Sequence, residues 1–301
     1  MLKESFLKYL SLERNYSDRT VVCYGTDIAK FESYFRGVDE SLDFTTVDSD
    51  LVRGWVMTLM DAGYEATSVN RKLSSLRAFY RFLLRKKYVK TDPVALVCAP
   101  KKKKPLPVFV KEADMNRLLD DTDFGDDFEG VRDRLILETF YLTGMRLSEL
   151  IGLMDADVDF FAKVIKVTGK RNKQRLIPFG EELEGDLKAY LDTRNKCCTE
   201  GVESFFVRKD GRRLCPRMVY LLVRRNLSKV VTLKKKSPHV LRHTFATSML
   251  NNHAELEAVK ELLGHESLST TEIYTHTTFE ELKKVYHAHP RAKKEGGIYG
   301  N

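Results

Sequence analysis

Long apolar runs are missing from this 301-residue chain. No stretch approaches the roughly 18 residues that a membrane-crossing helix needs, and the opening MLKESFLKYL carries too much charge for a secretory signal. Cysteine is sparse and unpatterned: Cys23, Cys98, Cys197, Cys198 and Cys215 are odd in number and form no CxxC pair, which argues against a disulfide framework or a zinc ribbon. A cytoplasmic chain with reduced thiols is the expectation. A GxxxxGK[ST] phosphate loop is absent, so ATP-driven chemistry of that type is not expected. Internal repeats are also absent, and the only low-complexity segment is one lysine run.

What the chain does have is positive charge. Its net charge is +8 and its pI is about 9.1, a balance that favours a polyanionic partner. A hydrophobic fraction of 43% suits a globular protein, and the length suits two domains.

Apolar periodicity predicts a helix over residues 2–13 and a second one capped by Ser17, with Ile28, Phe31 and Phe35 inward. A third helix covers about 48–61 and a fourth about 67–87, where Val69, Leu73, Leu76, Tyr80 and Leu83 form a stripe. Four helices with short connections read as a bundle. Arg71, Lys72, Arg77, Arg81 and Arg85 lie mostly off that stripe, either as a solvated face or as contacts to a DNA backbone. The aromatic residues of the first two helices read as core. The segment APKKKKPLP at 99–107, with Lys101, Lys102, Lys103 and Lys104 between prolines, is extended and non-helical and marks the domain boundary.

Beyond it, helices are expected at 111–121 and 131–143, the latter ending at Gly144 so that Arg146 emerges at the start of the next helix, where free N–H groups favour an anion. Glu149 stands three residues on, placed to hold Arg146. Strands are expected at 164–167 and 175–178 around the basic turn Gly169-Lys170-Arg171-Asn172-Lys173. A helix over 181–195, a short buried strand at Phe205-Phe206-Val207 and a helix from Pro216 to about Val231 follow. The tail from 291 reads as flexible.

The chemistry concentrates in 238–276, which holds five of the seven histidines. His239 and Arg242 are three apart on one helical face and can address one ligand. His265 follows Gly264 at the end of an apolar-periodic helix, and Tyr274 lies nine residues later. A cationic pair, a loop histidine and a phenol belong together if a phosphate is held while a tyrosine attacks it. His243, His253, His276, His287 and His289 read as packing residues.

The His-x-x-Arg pair, the Leu-Gly-His turn and the tyrosine nine residues on resemble the tyrosine recombinase (phage integrase) family, with an unbroken match over about Thr143–His289. The Tyr286-His287-Ala288-His289-Pro290 run looks most like the Xer subgroup, which resolves chromosome dimers. The resemblance implies a mainly α, two-domain chain. Residues 1–98 would be a four-helix, SAM-like core-binding bundle and 99–107 a basic linker. Residues 108–290 would be a mostly α catalytic domain with a small antiparallel sheet (the DNA breaking-rejoining fold), and 291–301 a tail.

The resemblance also implies roles. Arg146 and Arg242 neutralise the phosphate, His239 takes the phenol proton, His265 bonds the phosphate, Lys170 protonates the leaving oxygen and Tyr274 is the nucleophile, with Glu149 in support. Arg71, Lys72, Arg77, the four linker lysines, Arg171 and Lys173 are candidate DNA contacts. No metal or other cofactor is expected, because paired guanidinium forks match phosphate oxygens and the motifs supply no carboxylate cluster. Expected partners are a double-stranded DNA recombination site, copies of the chain or a second Xer-type recombinase in a tetramer, and a DNA translocase as a candidate activator; no membrane is expected. Rival readings are a mobile-element integrase, a nicking–closing topoisomerase-like enzyme and a non-catalytic DNA-binding protein.

Overall fold

Several helices begin where the sequence supplies a side-chain oxygen for an orphan N–H. Helix α1, Leu2–Lys8, continues into a π-helical turn at Tyr9–Glu13. Helix α2, Asp18–Val38, is capped by Ser17, which accepts from Thr20 N. Helix α3, Ser49–Asp61, is capped by Asp48, and α4 runs Ala66–Arg85. The computed structural model describes residues 1–102, 108–169, 172–198, 203–264 and 279–292. Its chain divides into two compact units, Met1–Pro105 and Leu106–Asn301.

In the first unit the α4 stripe closes over Phe6, Ile28, Phe31, Phe35 and Trp55, all buried. The aromatic residues expected in the core are there: Phe31 packs edge-on to Phe35 with centroids 5.3 Å apart. The basic face of α4 is different from the expected one. Lys72 is buried and bonded to Asp27, so it is not a surface phosphate contact. Arg71 forks onto the same carboxylate, and Arg77 donates to the Val97 carbonyl. Lys101 and Lys102 are exposed, while Lys103 and Lys104 fall outside the described residues.

The second unit is built around α6, Phe128–Thr143, capped by the Asp127 carboxylate. Polar and apolar residues of α6 alike are buried, because α8, Glu181–Cys197, and α10, Pro238–Asn251, both pack on it. Helix α5, Glu112–Asp120, and α9, Pro216–Val230, form a further pair. After α6 come α7, Leu147–Gly152, and a three-stranded antiparallel sheet of β1, Val158–Asp159, β2, Val164–Thr168, and β3, Gln174–Pro178, in the order β1-β2-β3. Ile165 pairs with Ile177 and Val167 with Arg175. Helix α11, Leu256–Leu263, and α12, Phe279–Tyr286, complete the unit. No described helix is long and apolar enough to cross a membrane.

Three expectations change here. Phe205, Phe206 and Val207 are buried as expected but form no regular strand; the flanking bridges Met154–Ser204 and Val207–Arg213 leave the segment as a bent plug beside Tyr190. Arg291, assigned to a flexible tail, is buried and ion-paired with Asp120 and Glu182, because Tyr286 and His289 seat this segment in the core. Of the histidines read as packing residues, His289 is buried, but His243, His253 and His287 are exposed, since their positions on α10 and its neighbours face away from the core. His276 falls outside the described residues. Val285 of α12, with Ala288 just beyond it, packs against the cluster of Phe245, Met249, Val259, Leu262 and Leu263 in its own chain.

Candidate functional site

The chain reverses between α6 and α7 at Gly144, in the left-handed region at φ +58°. A Cβ there would stand 2.4 Å from the Phe245 ring and 2.9 Å from Leu263, so only glycine allows α10 and α11 to approach this turn. The reversal leaves Arg146 as the N-cap residue of α7. Its backbone N–H donates to Glu149 Oε2 at 2.7 Å and its Nη1 to Glu149 Oε1 at 2.8 Å. The carboxylate of the same turn thus occupies the backbone N–H of Arg146. Glu149 has a second cation, outside the set of site residues expected from the sequence. Arg175 of β3 forks onto both carboxylate oxygens at 2.7 and 2.9 Å. Burial alone would raise this carboxyl, but the Arg175 fork and the Arg146 donors bring it down to about 2.

Pro238 stands at the first position of α10, where its missing N–H costs nothing. One helical turn later, Arg242 donates to the Gly144 carbonyl at 2.7 Å and to the Leu263 carbonyl at 2.6 Å. Burial, followed by the charges of Arg146 and Arg175, lowers Arg242 to about 10, so it stays protonated at neutral pH. Arg146 Nη2 donates to the Gly264 carbonyl at 2.7 Å. Each of these two guanidinium groups thus spends two of its five N–H donors on described residues. His239 is exposed, and partial burial and the nearby Arg242, His243 and Arg146 lower its pKa. Its imidazole is neutral at pH 7 and able to accept a proton.

Arg146, His239 and Arg242 open onto a cavity of about 550 Å³. Arg224, Lys234, Lys235 and Lys236 also line it, with Tyr220, and no carboxylate is among the described lining residues. The structure therefore brings together three of the six sequence-expected site residues, with Glu149 buried beneath them. Lys170, His265 and Tyr274, with Arg171, fall outside the described residues. Lys173 is exposed on the hairpin, where its carbonyl accepts from Gly169 N at 2.7 Å. Arg224 and the lysines at 234–236 were not among the site residues expected from the sequence. The signal was there: a three-lysine run abutting the helix that carries His239 and Arg242.

Residues 109–281 match the phage integrase family and residues 4–87 its N-terminal SAM-like domain. The chain is 40% identical to the tyrosine recombinase XerC of Chlorobaculum tepidum, over 95% of this chain and 94% of that one. It is 37% identical to XerC of Bacillus subtilis, over 96% of each chain. Among solved structures, the Tn1549 transposon integrase bound to transposon right-end DNA superposes with a TM-score of 0.72 at 20% identity, covering 94% and 97% of the two chains. XerH in a post-cleavage complex with palindromic difH superposes with a TM-score of 0.71 at 21% identity, covering 94% and 83%. These last two likenesses speak to the fold.

Proposed function

This chain belongs to the phage integrase family and is a site-specific tyrosine recombinase, and from that premise we propose how its residues carry the reaction. The Tyr274 phenol oxygen attacks a phosphorus of duplex DNA and displaces the 5′-oxygen, leaving a 3′-phosphotyrosine ester. The phenol proton passes to His239, and Lys170 protonates the departing oxygen. Arg146 and Arg242 neutralise the non-bridging oxygens, and His265 bonds one of them. A free phenol with a pKa near ~10 is a weak nucleophile at neutral pH, so it depends on this cationic surround. Because the ester keeps the bond energy, a second strand's 5′-hydroxyl reverses the step, and two rounds pass through a Holliday junction without ATP.

The observation that carries the reading is the pair of guanidinium groups, from positions 96 residues apart, on one cavity whose described lining holds six Arg and Lys side chains and no carboxylate. Oxygen-rich DNA, not a metal-bridged phosphate, suits that lining. In the cell we place the chain in the cytoplasm, acting on a chromosomal recombination site to resolve dimers, in a tetramer of itself or with a second Xer-type recombinase. The names of its relatives support that role over a mobile-element one. The candidate DNA contacts still exposed to solvent are Lys101, Lys102 and Lys173, together with the open side of Arg71.

Nicked duplexes drawn from the chromosome terminus region test both chemistry and site. The wild-type chain is expected to form a covalent 3′-linked adduct at one position; Tyr274→Phe is expected to bind the same duplex and form none. Adduct formation by Tyr274→Phe would assign the nucleophile elsewhere, and adducts scattered over unrelated duplexes would favour a nicking–closing enzyme.

A further inference from the structure

Strand β3 breaks the ordinary rule of side-chain placement. Residues 175 and 177 share the inward face of the strand, paired with Val167 and Ile165. The inward position nearest the hairpin is an arginine whose side chain is 12% exposed, while its neighbour Leu176 faces out at 43%. An arginine is buried this way only when its donors are met. Those of Arg175 are met by two separate parts of the fold. Its two Nη groups hold both Glu149 oxygens, and its Nε donates to the Leu262 carbonyl at 2.7 Å.

The Leu262 contact belongs to a set. The last carbonyls of a helix have no partner within the helix and form the negative end of its dipole. At the end of α11, Leu262 is met by Arg175 of β3, Leu263 by Arg242 of α10, and Gly264 by Arg146 of the α7 cap. Gly264 lies in the left-handed region at φ +63°, and a Cβ there would come within 3.2 Å of Arg175 Cδ and Nη1. Arg175 is the member of this set that lies outside the cavity lining, and like Arg146 it grips both Glu149 and the end of α11.

We propose that Arg175 is a positioning residue for the recombination reaction: it fixes the Glu149 carboxylate that aims Arg146, and locks the end of α11 against the same carboxylate. The assignment rests on the reading of Arg146 and Arg242 as the phosphate clamp. It makes position 175 neither a DNA contact nor a bystander of the basic turn. Glu149 also faces Arg146 from its own turn and Arg242 from α10, and among these charged neighbours Arg175 contributes most to its ionisation.

The experiment is single-turnover adduct formation on the nicked duplex that the wild-type chain cleaves, measured across pH for wild type, Arg175→Met, Arg175→Lys and Arg146→Ala, with duplex binding and thermal melting in parallel. Arg175→Met is expected to bind the duplex as wild type does and to lose about 10–100-fold in adduct rate, the range for outer groups that orient a contacting residue. Its rate is also expected to fall on the acid side where wild type still reacts, because Glu149 titrates higher without the fork. A residue with only a packing role would lower the melting temperature and leave that acid limb in place. Arg175→Lys keeps one charge but cannot span both oxygens and a carbonyl, so it is expected to fall between the two. If Arg175→Met does not fold, the lysine variant decides by the same limb. A wild-type rate and pH profile in whichever variant folds overturns the assignment. A wild-type rate in Arg146→Ala overturns the clamp reading itself.

Discussion

Asp27 in the first unit and Glu149 in the second are built alike and used differently. Each is a buried carboxylate gripped by two cations, both of them distant in sequence at Asp27 and one of them at Glu149. Asp27 of α2 accepts from Arg71 at 2.5 and 2.9 Å, Lys72 at 3.0 Å and the Ser75 hydroxyl at 2.9 Å, all on α4. Glu149 accepts from Arg146 and Arg175. At Asp27 the partners tie one helix to another, and the Lys72 ammonium is sealed in beneath Tyr64. At Glu149 one partner faces a cavity with donors to spare, so the carboxylate holds a cation in aim for something else. A buried ion pair becomes a site when one partner keeps an open side.

Removing each anion should break that comparison in different places. Asp27→Ala strands the Lys72 charge in the interior, and losing one partner of a buried pair costs about 3–5 kcal/mol. Chemical denaturation followed by helical signal should show this loss, while adduct rate per folded molecule stays at the wild-type value. Pairing Asp27→Leu with Lys72→Met should recover much of the stability, since an apolar replacement removes both desolvation costs. A double variant no more stable than Asp27→Ala would mean that Arg71 and Ser75, not the charge, carry the effect.

Arg242→Ala is next in size. It removes a donor from the phosphate reading and should slow adduct formation by about 10²–10³-fold, or 2.7–4 kcal/mol of barrier. It also leaves the Gly144 and Leu263 carbonyls without their guanidinium, so a melting temperature below that of wild type should accompany it. Single-turnover rates at saturating duplex separate the two effects. An unchanged rate with a lowered melting temperature would make Arg242 a second Lys72, a cation committed to structure.

Much of the architecture was legible because it rests on apolar period and turn chemistry: the stripe of α4, the cap at Ser17, and the helix that carries His239 and Arg242. The ion hubs were not legible. A lysine reads the same in sequence whether it faces water or, like Lys72, a carboxylate 45 residues away. Arg175 was concealed in a basic hairpin, where only strand register distinguishes inward from outward. Arg291 sat among tail residues, and its burial depends on Asp120 and Glu182, both more than 100 positions earlier. Single histidines misled in the other direction: His243 seemed suited to packing, yet the face of α10 that it occupies is open.

The smallest effect concerns acid, and it sharpens the contrast because all seven histidines belong to the second unit. His289 lies among Tyr141, Phe245 and Tyr286, with Arg291 beside it, and burial lowers its pKa to about 3. The folded chain thus holds this imidazole neutral, whereas the unfolded chain protonates it near pH 6.5. The folded state binds fewer protons, so its stability is complete above pH 6.5 and declines as pH falls toward 3. One pH unit below 6.5 the loss should be about 1.4 kcal/mol. The ionised Glu149 adds no loss in that window, because its stabilisation begins to fall only as pH drops below the ordinary carboxylate range. Melting curves between pH 7.5 and 5 should therefore show the second unit weakening before carboxylates titrate. His289→Phe, which keeps a ring in the aromatic slot, should flatten that slope. An equal slope in the variant would move the acid sensitivity away from this slot and onto the histidines in the open.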